Sequence, residues 1–134
     1  MSFERLQDQI REMKNPTVAG LDPKLEYVPA FVLEEKLKEY GETTRAAAEA
    51  IYAYNVGLID ALYDVVPAVK PQSAFYERFG FEGVEALKRT VDYAKSKGLY
   101  VIMDAKRGDI GSTAEGYSDA YLGSVKIGNT EVEP

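Results

Sequence analysis

Apolar residues recur along this chain with two different spacings, and the switches between them mark out the elements. Phe3, Leu6, Ile10 and Met13 share one helical face, and Asn15-Pro16 stops that run, which predicts an N-terminal helix over 1–14. Thr17 to Leu21 is a short apolar run bounded by turn residues, a buried strand ending at Asp22-Pro23. Phe31, Val32, Leu33 and Leu37 predict a short helix inside the long connection 24–42. From Thr43 the stripe Ala47, Ile51, Tyr54, Leu58, Leu62 and Val65 predicts a helix of about five turns. Pro67 to Val69 centres a second strand that ends at Lys70-Pro71. Val84, Leu87, Val91 and Ala94 mark another helix, closed by Lys97-Gly98. Leu99 to Met103 is a third strand, apolar on both faces, as parallel strands covered by helices are. Ser112-Thr113-Ala114-Glu115 has capping-box spacing and opens a helix through about Leu122, while 123–134 shows no periodicity and reads as an irregular tail.

One helix followed by three strand–helix units over 16–122 implies an α/β fold with a parallel sheet and right-handed crossovers, within one domain spanning 1–134. Composition narrows the chemistry. At 46% hydrophobic and 28% charged, the 134 residues are those of an ordinary globular chain. No apolar run approaches the ~20 residues of a membrane span. The charged, amphipathic start is not a secretory signal, and the lack of cysteine fits a cytoplasmic protein. A net charge of −6 speaks against nucleic acid as a partner. The absence of histidine removes Ser-His-Asp and Cys-His catalysis and most zinc sites, which leaves Asp, Glu, Lys, Tyr and backbone dipoles to do any chemistry.

Each predicted strand ends in charge: Asp22 after the first, Lys70 after the second, Asp104 and Lys106 after the third. In parallel α/β architectures the carboxyl ends of all strands lie on one face, and that face carries the ligand site. These four residues are therefore expected to converge, with Asp104 and Lys106 on the same side of a continuing strand. Taken singly, each has a plain structural use. Asp22 suits a turn or N-cap, Lys70 a snorkelling surface position, and Asp104–Lys106 a surface ion pair worth ~0–1 kcal/mol. Asp109 suits the N-terminal end of the next helix. Arg78 and Arg107 read as solvent or substrate-entry residues, and Tyr52, Tyr54 and Tyr63 as core and rim. Their joint occurrence at three strand ends favours a site.

Asp104-Ala-Lys-Arg-Gly-Asp109-Ile110, followed by Thr113, closely resembles the DxKxxDIxxT signature of the orotidine 5′-monophosphate decarboxylases. Gly20-Leu21-Asp22-Pro23 and Val69-Lys70-Pro71-Gln72 resemble that family's first two strand ends, and the wording as a whole is most similar to its longer bacterial branch. The resemblance implies the N-terminal part of a (β/α)₈ barrel that works as a homodimer on orotidine monophosphate without metal or organic cofactor. It implies Lys106, Asp104 and Asp109 as catalytic groups. It implies Asp22 and Lys70 on the ribose hydroxyls, and Asp109, Ile110 and Thr113 reaching the partner's site. A barrel of about 250 residues is expected, so the chain reads as truncated, weakly active or inactive by itself, and disposed to associate with itself or with a C-terminal half. Two alternatives stay open: a Mg-dependent phosphosugar decarboxylase or synthase of the same superfamily, and a non-catalytic assembly or ligand-binding fragment.

Overall fold

The computed structural model describes residues 3–132, so Met1 and Ser2 of the predicted first helix and Glu133 and Pro134 of the predicted tail lie outside the described residues. The chain divides into two compact units, Met1–Asp104 and Ala105–Pro134.

In the first unit the elements run α1 (Phe3–Met13), β1 (Val18–Leu21), a 3₁₀ turn (Leu25–Tyr27), α2 (Ala30–Tyr40) and α3 (Thr44–Leu62). They continue as β2 (Ala68–Pro71), α4 (Ala74–Glu77), α5 (Gly80–Ser96) and β3 (Tyr100–Val101). The three strands form one parallel sheet in the order β1-β2-β3, the expected α/β arrangement. Three of the helix boundaries have local causes. Thr43 caps α3 by accepting the Ala46 N–H on its hydroxyl, Gly41 stops α2 at a φ of 69°, and Gly98 turns out of α5 at 86°.

The helices bury one face of the sheet. Leu21, Val69 and Leu99 pack with Ile59, Val66 and Ala94, while a second cluster joins Val28, Ile51, Tyr76, Phe79, Leu87 and Val91. The buried face of α3 is Ala47, Ala48, Ile51, Asn55 and Ile59, rotated from the predicted stripe, so that Tyr54, Leu58 and Leu62 are half-buried and Val65 is exposed. The rotation follows from partner size. Ala47, Ala48 and Ile51 pack in one cluster with Ala86, Leu87 and Val91 of α5, and the bulkier tyrosine and leucines lie to the side of the buried face. On α5 the buried face is likewise Gly83, Ala86, Leu87, Thr90, Val91 and Ala94, with Val84 exposed. Arg89 lies over the Tyr52 ring at 3.9 Å and pairs with Glu49 at 2.7 Å, clamping the outer edges of the two helices. α1 is fastened by polar contacts: Gln9 donates to the Gly98 carbonyl at 2.7 Å, and Asn15 just beyond the helix donates to that of Val65 at 2.7 Å.

The second unit holds α6 (Gly111–Leu122) and a hairpin of β4 (Val125–Ile127) with β5 (Thr130–Val132). The capping box does not form. α6 begins at Gly111, so Ser112 is already helical, and Ile110 holds the N-cap position with no side-chain bond. The hairpin replaces the irregular stretch expected within 123–134. Ile127 pairs with Thr130 across Gly128-Asn129, and Gly128 has a φ of 62°. Glycine-asparagine between two short β-type runs is a two-residue hairpin signal, but strands of three residues are too short to register as periodicity.

Gly83 and Gly57 separate space from propensity. A Cβ on Gly83 would stand 1.9 Å from the Tyr76 carbonyl oxygen, whereas one on Gly57 meets nothing within 4 Å. Gly83→Ala should destabilise the chain by about 1–3 kcal/mol in urea titrations. Gly57→Ala should be neutral or stabilising by up to about 1 kcal/mol. Equal effects from the two would contradict the packing described here.

Candidate functional site

Register decides which side chains meet at the end of the sheet. Gly20 lies opposite Lys70, and Gln72 forms an isolated parallel bridge with Asp104. Side chains alternate across a strand, so Asp22, Lys70, Gln72 and Asp104 all project from the face opposite Leu21, Val69 and Val101. The helices cover the latter face, and the charged groups share the other with Val18, Ala68 and Tyr100.

The Lys70 ammonium stands 3.3 Å from Asp104 Oδ2 and 3.8 Å from Asp22 Oδ1. Gln72 Nε2 donates to the same Asp104 oxygen at 2.9 Å. Two carboxylates from strands on either side of β2 thus share one cation. The backbone of Asp104 is held as firmly: its N–H donates to the Pro71 carbonyl at 3.1 Å, and its own carbonyl accepts the Ser73 N–H at 3.1 Å. Lys70 and both carboxylates remain partly open to solvent, so the cluster can reach a ligand.

Gln72 was not among the residues singled out by charge, yet it touches the cluster directly. The signal that finds it is positional: it stands two residues after Lys70 on the same strand face.

Beneath the cluster is a buried polar chain. Asn55 Nδ2 donates to the Tyr76 hydroxyl at 2.9 Å and to Thr90 Oγ1 at 3.3 Å. The Tyr76 hydroxyl donates to the Leu21 carbonyl at 3.1 Å, and Thr90 donates to that of Ala86 at 2.7 Å. Burial pushes the Tyr76 phenol well above its ordinary value of 10.0; the Asn55 hydrogen bond opposes this, and the negative charge of Asp22 adds to it.

Lys106, Asp109, Ile110 and Thr113 belong to the second unit. The strand alternation expected to carry from Asp104 to Lys106 does not hold. β3 ends at Val101, and Lys106 takes a left-handed backbone with a φ of 46°. Such a conformation costs a non-glycine residue about 1–3 kcal/mol, and positions of this kind cluster at functional sites. Among the described residues only Lys14, at the end of α1, shares it without being glycine. Asp109 stands just before α6, where its carboxylate accepts the Ile110 N–H at 2.8 Å. Ile110 and Thr113 are exposed. Arg107 donates to the Ala105 carbonyl at 2.6 Å and approaches the Tyr117 ring at 6.0 Å.

The sequence profile of the orotidine 5′-phosphate decarboxylase / HUMPS family matches residues 19–126. The chain belongs to this family. An orotidine 5′-phosphate decarboxylase of Rhodopirellula baltica is 44% identical over 110 residues, which is 82% of this chain and 35% of that protein. One from Caldicellulosiruptor saccharolyticus is 36% identical over 124 residues, 92% of this chain and 41% of its own length. The solved structure of Leishmania donovani OMP decarboxylase superposes with a TM-score of 0.60 at 29% identity, over 88% of this chain and 40% of that one. The fold is accordingly the N-terminal part of a (β/α)₈ barrel, and the chain spans about two-fifths of the length of these relatives. Among the described residues no helix is long and apolar enough to cross a membrane, and no group of three or more His, Cys, Asp or Glu is disposed to hold a metal ion.

Two measurements test this geometry. Because the unfolded chain releases the Tyr76 proton near pH 10 while the folded chain retains it, this tyrosine's contribution is complete below that pH and lost above it. Stability should fall by up to about 1.4 kcal/mol per pH unit above pH 10 from this group, and Tyr76→Phe should flatten that alkaline limb. The half-exposed Lys70 pairs should contribute little to stability, so Lys70→Met should change the urea midpoint by no more than about 1 kcal/mol. A loss of several kcal/mol would recast the cluster as a structural lock.

Proposed function

We propose that this chain carries the catalytic-side portion of an orotidine 5′-monophosphate decarboxylase, acting as a lyase that releases CO₂ from the pyrimidine nucleotide to leave UMP in pyrimidine biosynthesis. The observation that carries the reading is the Lys70 ammonium shared between Asp22 and Asp104 at the strand ends of a chain of this family. Asp22 and Lys70 are read as partners of the ribose hydroxyls, for which a fixed carboxylate and ammonium supply an acceptor and donors. Asp104 is assigned to the side of the substrate carboxylate, where like-charge repulsion is relieved as CO₂ leaves.

Lys106 is assigned to the carbanion that remains at C6 of the ring, first stabilising it and then protonating it. That carbanion has no π-system to delocalise into, so its stabilisation must be electrostatic. An ammonium about 4 Å away is worth roughly 4 kcal/mol at an effective dielectric of 20. The left-handed backbone at Lys106 is the kind of local cost that a functional position sustains. Asp109, Ile110 and Thr113 are read as contributors to the site of a second subunit, the working form being a cytoplasmic homodimer completed by the rest of the barrel. No cofactor enters the scheme.

The test is complementation. The chain, co-expressed with the remaining portion of the Rhodopirellula baltica relative's barrel, should form UMP from orotidine monophosphate, and Lys106→Ala should lower the rate by about a thousandfold. An inactive complex, together with a Lys106→Ala variant indistinguishable from it, would refute the catalytic assignment.

A further inference from the structure

We propose that Tyr76 is a positioning residue for the charged end of the sheet, its hydroxyl holding the Leu21 carbonyl and thereby setting where Asp22 stands relative to Lys70. This rests on the reading above, in which the cluster binds substrate, and deepens it by naming what holds the cluster in place.

The first argument is chemical. Tyr76 is fully buried, within a cluster of apolar neighbours that a phenylalanine would fill as well. A hydroxyl there is costly unless it is paired. It is paired twice, and the pairing has a direction. Both hydrogens of the Asn55 amide are committed, one to Tyr76 and one to Thr90, while Thr90 passes its own proton to Ala86. The Tyr76 oxygen is thus an acceptor from one side, and its proton goes to Leu21.

The second argument is backbone supply. β1 pairs with β2 only as far as Leu21 opposite Pro71, whose own backbone faces the third strand and accepts the Asp104 N–H there. Pro23, which follows Asp22, has no N–H with which to carry the β1–β2 ladder further. Asp22 therefore lies where the ladder runs out, and the Tyr76 hydroxyl grips the residue just before it.

The third is economy of connection. Residues 72–76 reach both carboxylate-bearing strand ends: Gln72 holds the Asp104 side chain, Ser73 its carbonyl, and Tyr76 the end of β1. Gly83 of α5 lies so close to the Tyr76 carbonyl that no Cβ fits between them, so the bracket is backed by a rigid helix.

Nuclear magnetic resonance on the chain without substrate tests this, comparing Tyr76→Phe with Thr90→Ala. Thr90→Ala removes a hydroxyl from the same buried chain and leaves the Tyr76–Leu21 bond in place. Both variants should lower the melting temperature. Only Tyr76→Phe should move the Leu21 carbonyl and Asp22 Cγ resonances and lower the Asp22 amide order parameter from the rigid ~0.85 toward ~0.6. Unmoved Leu21 and Asp22 signals in Tyr76→Phe, or equal movement in Thr90→Ala, would overturn the assignment. If Tyr76→Phe does not fold, 3-fluorotyrosine at position 76 strengthens the donor and keeps the shape. The same two resonances must then shift, and their constancy would count against the proposal. Because no substrate enters, this outcome is independent of UMP formation: a moved Asp22 with an inactive complex would refute the decarboxylase reading alone.

Discussion

Parallel pairing of β2 with both its neighbours, in the register that puts Gly20 opposite Lys70 and Gln72 opposite Asp104, is the constraint on which the first unit's charged end depends. Side chains alternate with a period of two, so sliding β1 by one residue would send Asp22 toward the helices and Leu21 into the cluster. The hydrophobic face enforces the register. Leu21, Val69 and Leu99 are almost wholly buried against α3 and α5, and a slip would expose them while burying a carboxylate. Stability and site geometry are therefore two consequences of one alignment.

Small residues make that alignment reachable. The alanines of α3 and Gly83 of α5 let the helices approach each other and the Tyr76 backbone closely. Into this tight layer the chain places three polar groups, Asn55, Tyr76 and Thr90, none exposed to solvent. Replacing them with apolar residues would fill the same space, and what they add is direction: a hydrogen-bonded path from helix to strand end. The charged face above is the opposite kind of environment. Lys70, Asp22 and Asp104 keep part of their surface in water and contribute little to folding, which leaves them free to meet a ligand.

The second unit is built on other terms. α6 buries no residue, and the β4–β5 hairpin is exposed throughout. Its order comes from local devices: Asp109 bonded to the adjacent N–H before α6, and Gly128 turning the hairpin. Lys106, the residue to which the proposed chemistry assigns the most, occupies the left-handed backbone near its start. Hydrophobic patterning does not report on such a conformation, because it says which face is buried and nothing about the sign of φ.

Much was already determined by the sequence. Apolar spacing and turn residues were enough for the order of helices and parallel strands, because burial periodicity is a local property of the chain. The charges ending three successive strands were enough to favour a site, and the family followed from the resemblance of the motif residues there to its signature. What only the tertiary structure decided depends on neighbours distant in sequence. It placed Asn55, rather than Tyr54 or Leu58, on the buried face of α3, because α5 presents Thr90, Ala86 and Gly83 there. It added Gln72 to the cluster through a bridge to a residue 32 positions away. It also stopped β3 before Lys106, ending an alternation that a linear reading carries on indefinitely. A chain can write which residues are apolar and which are charged, but the partner each one meets is set only when the strands take their register.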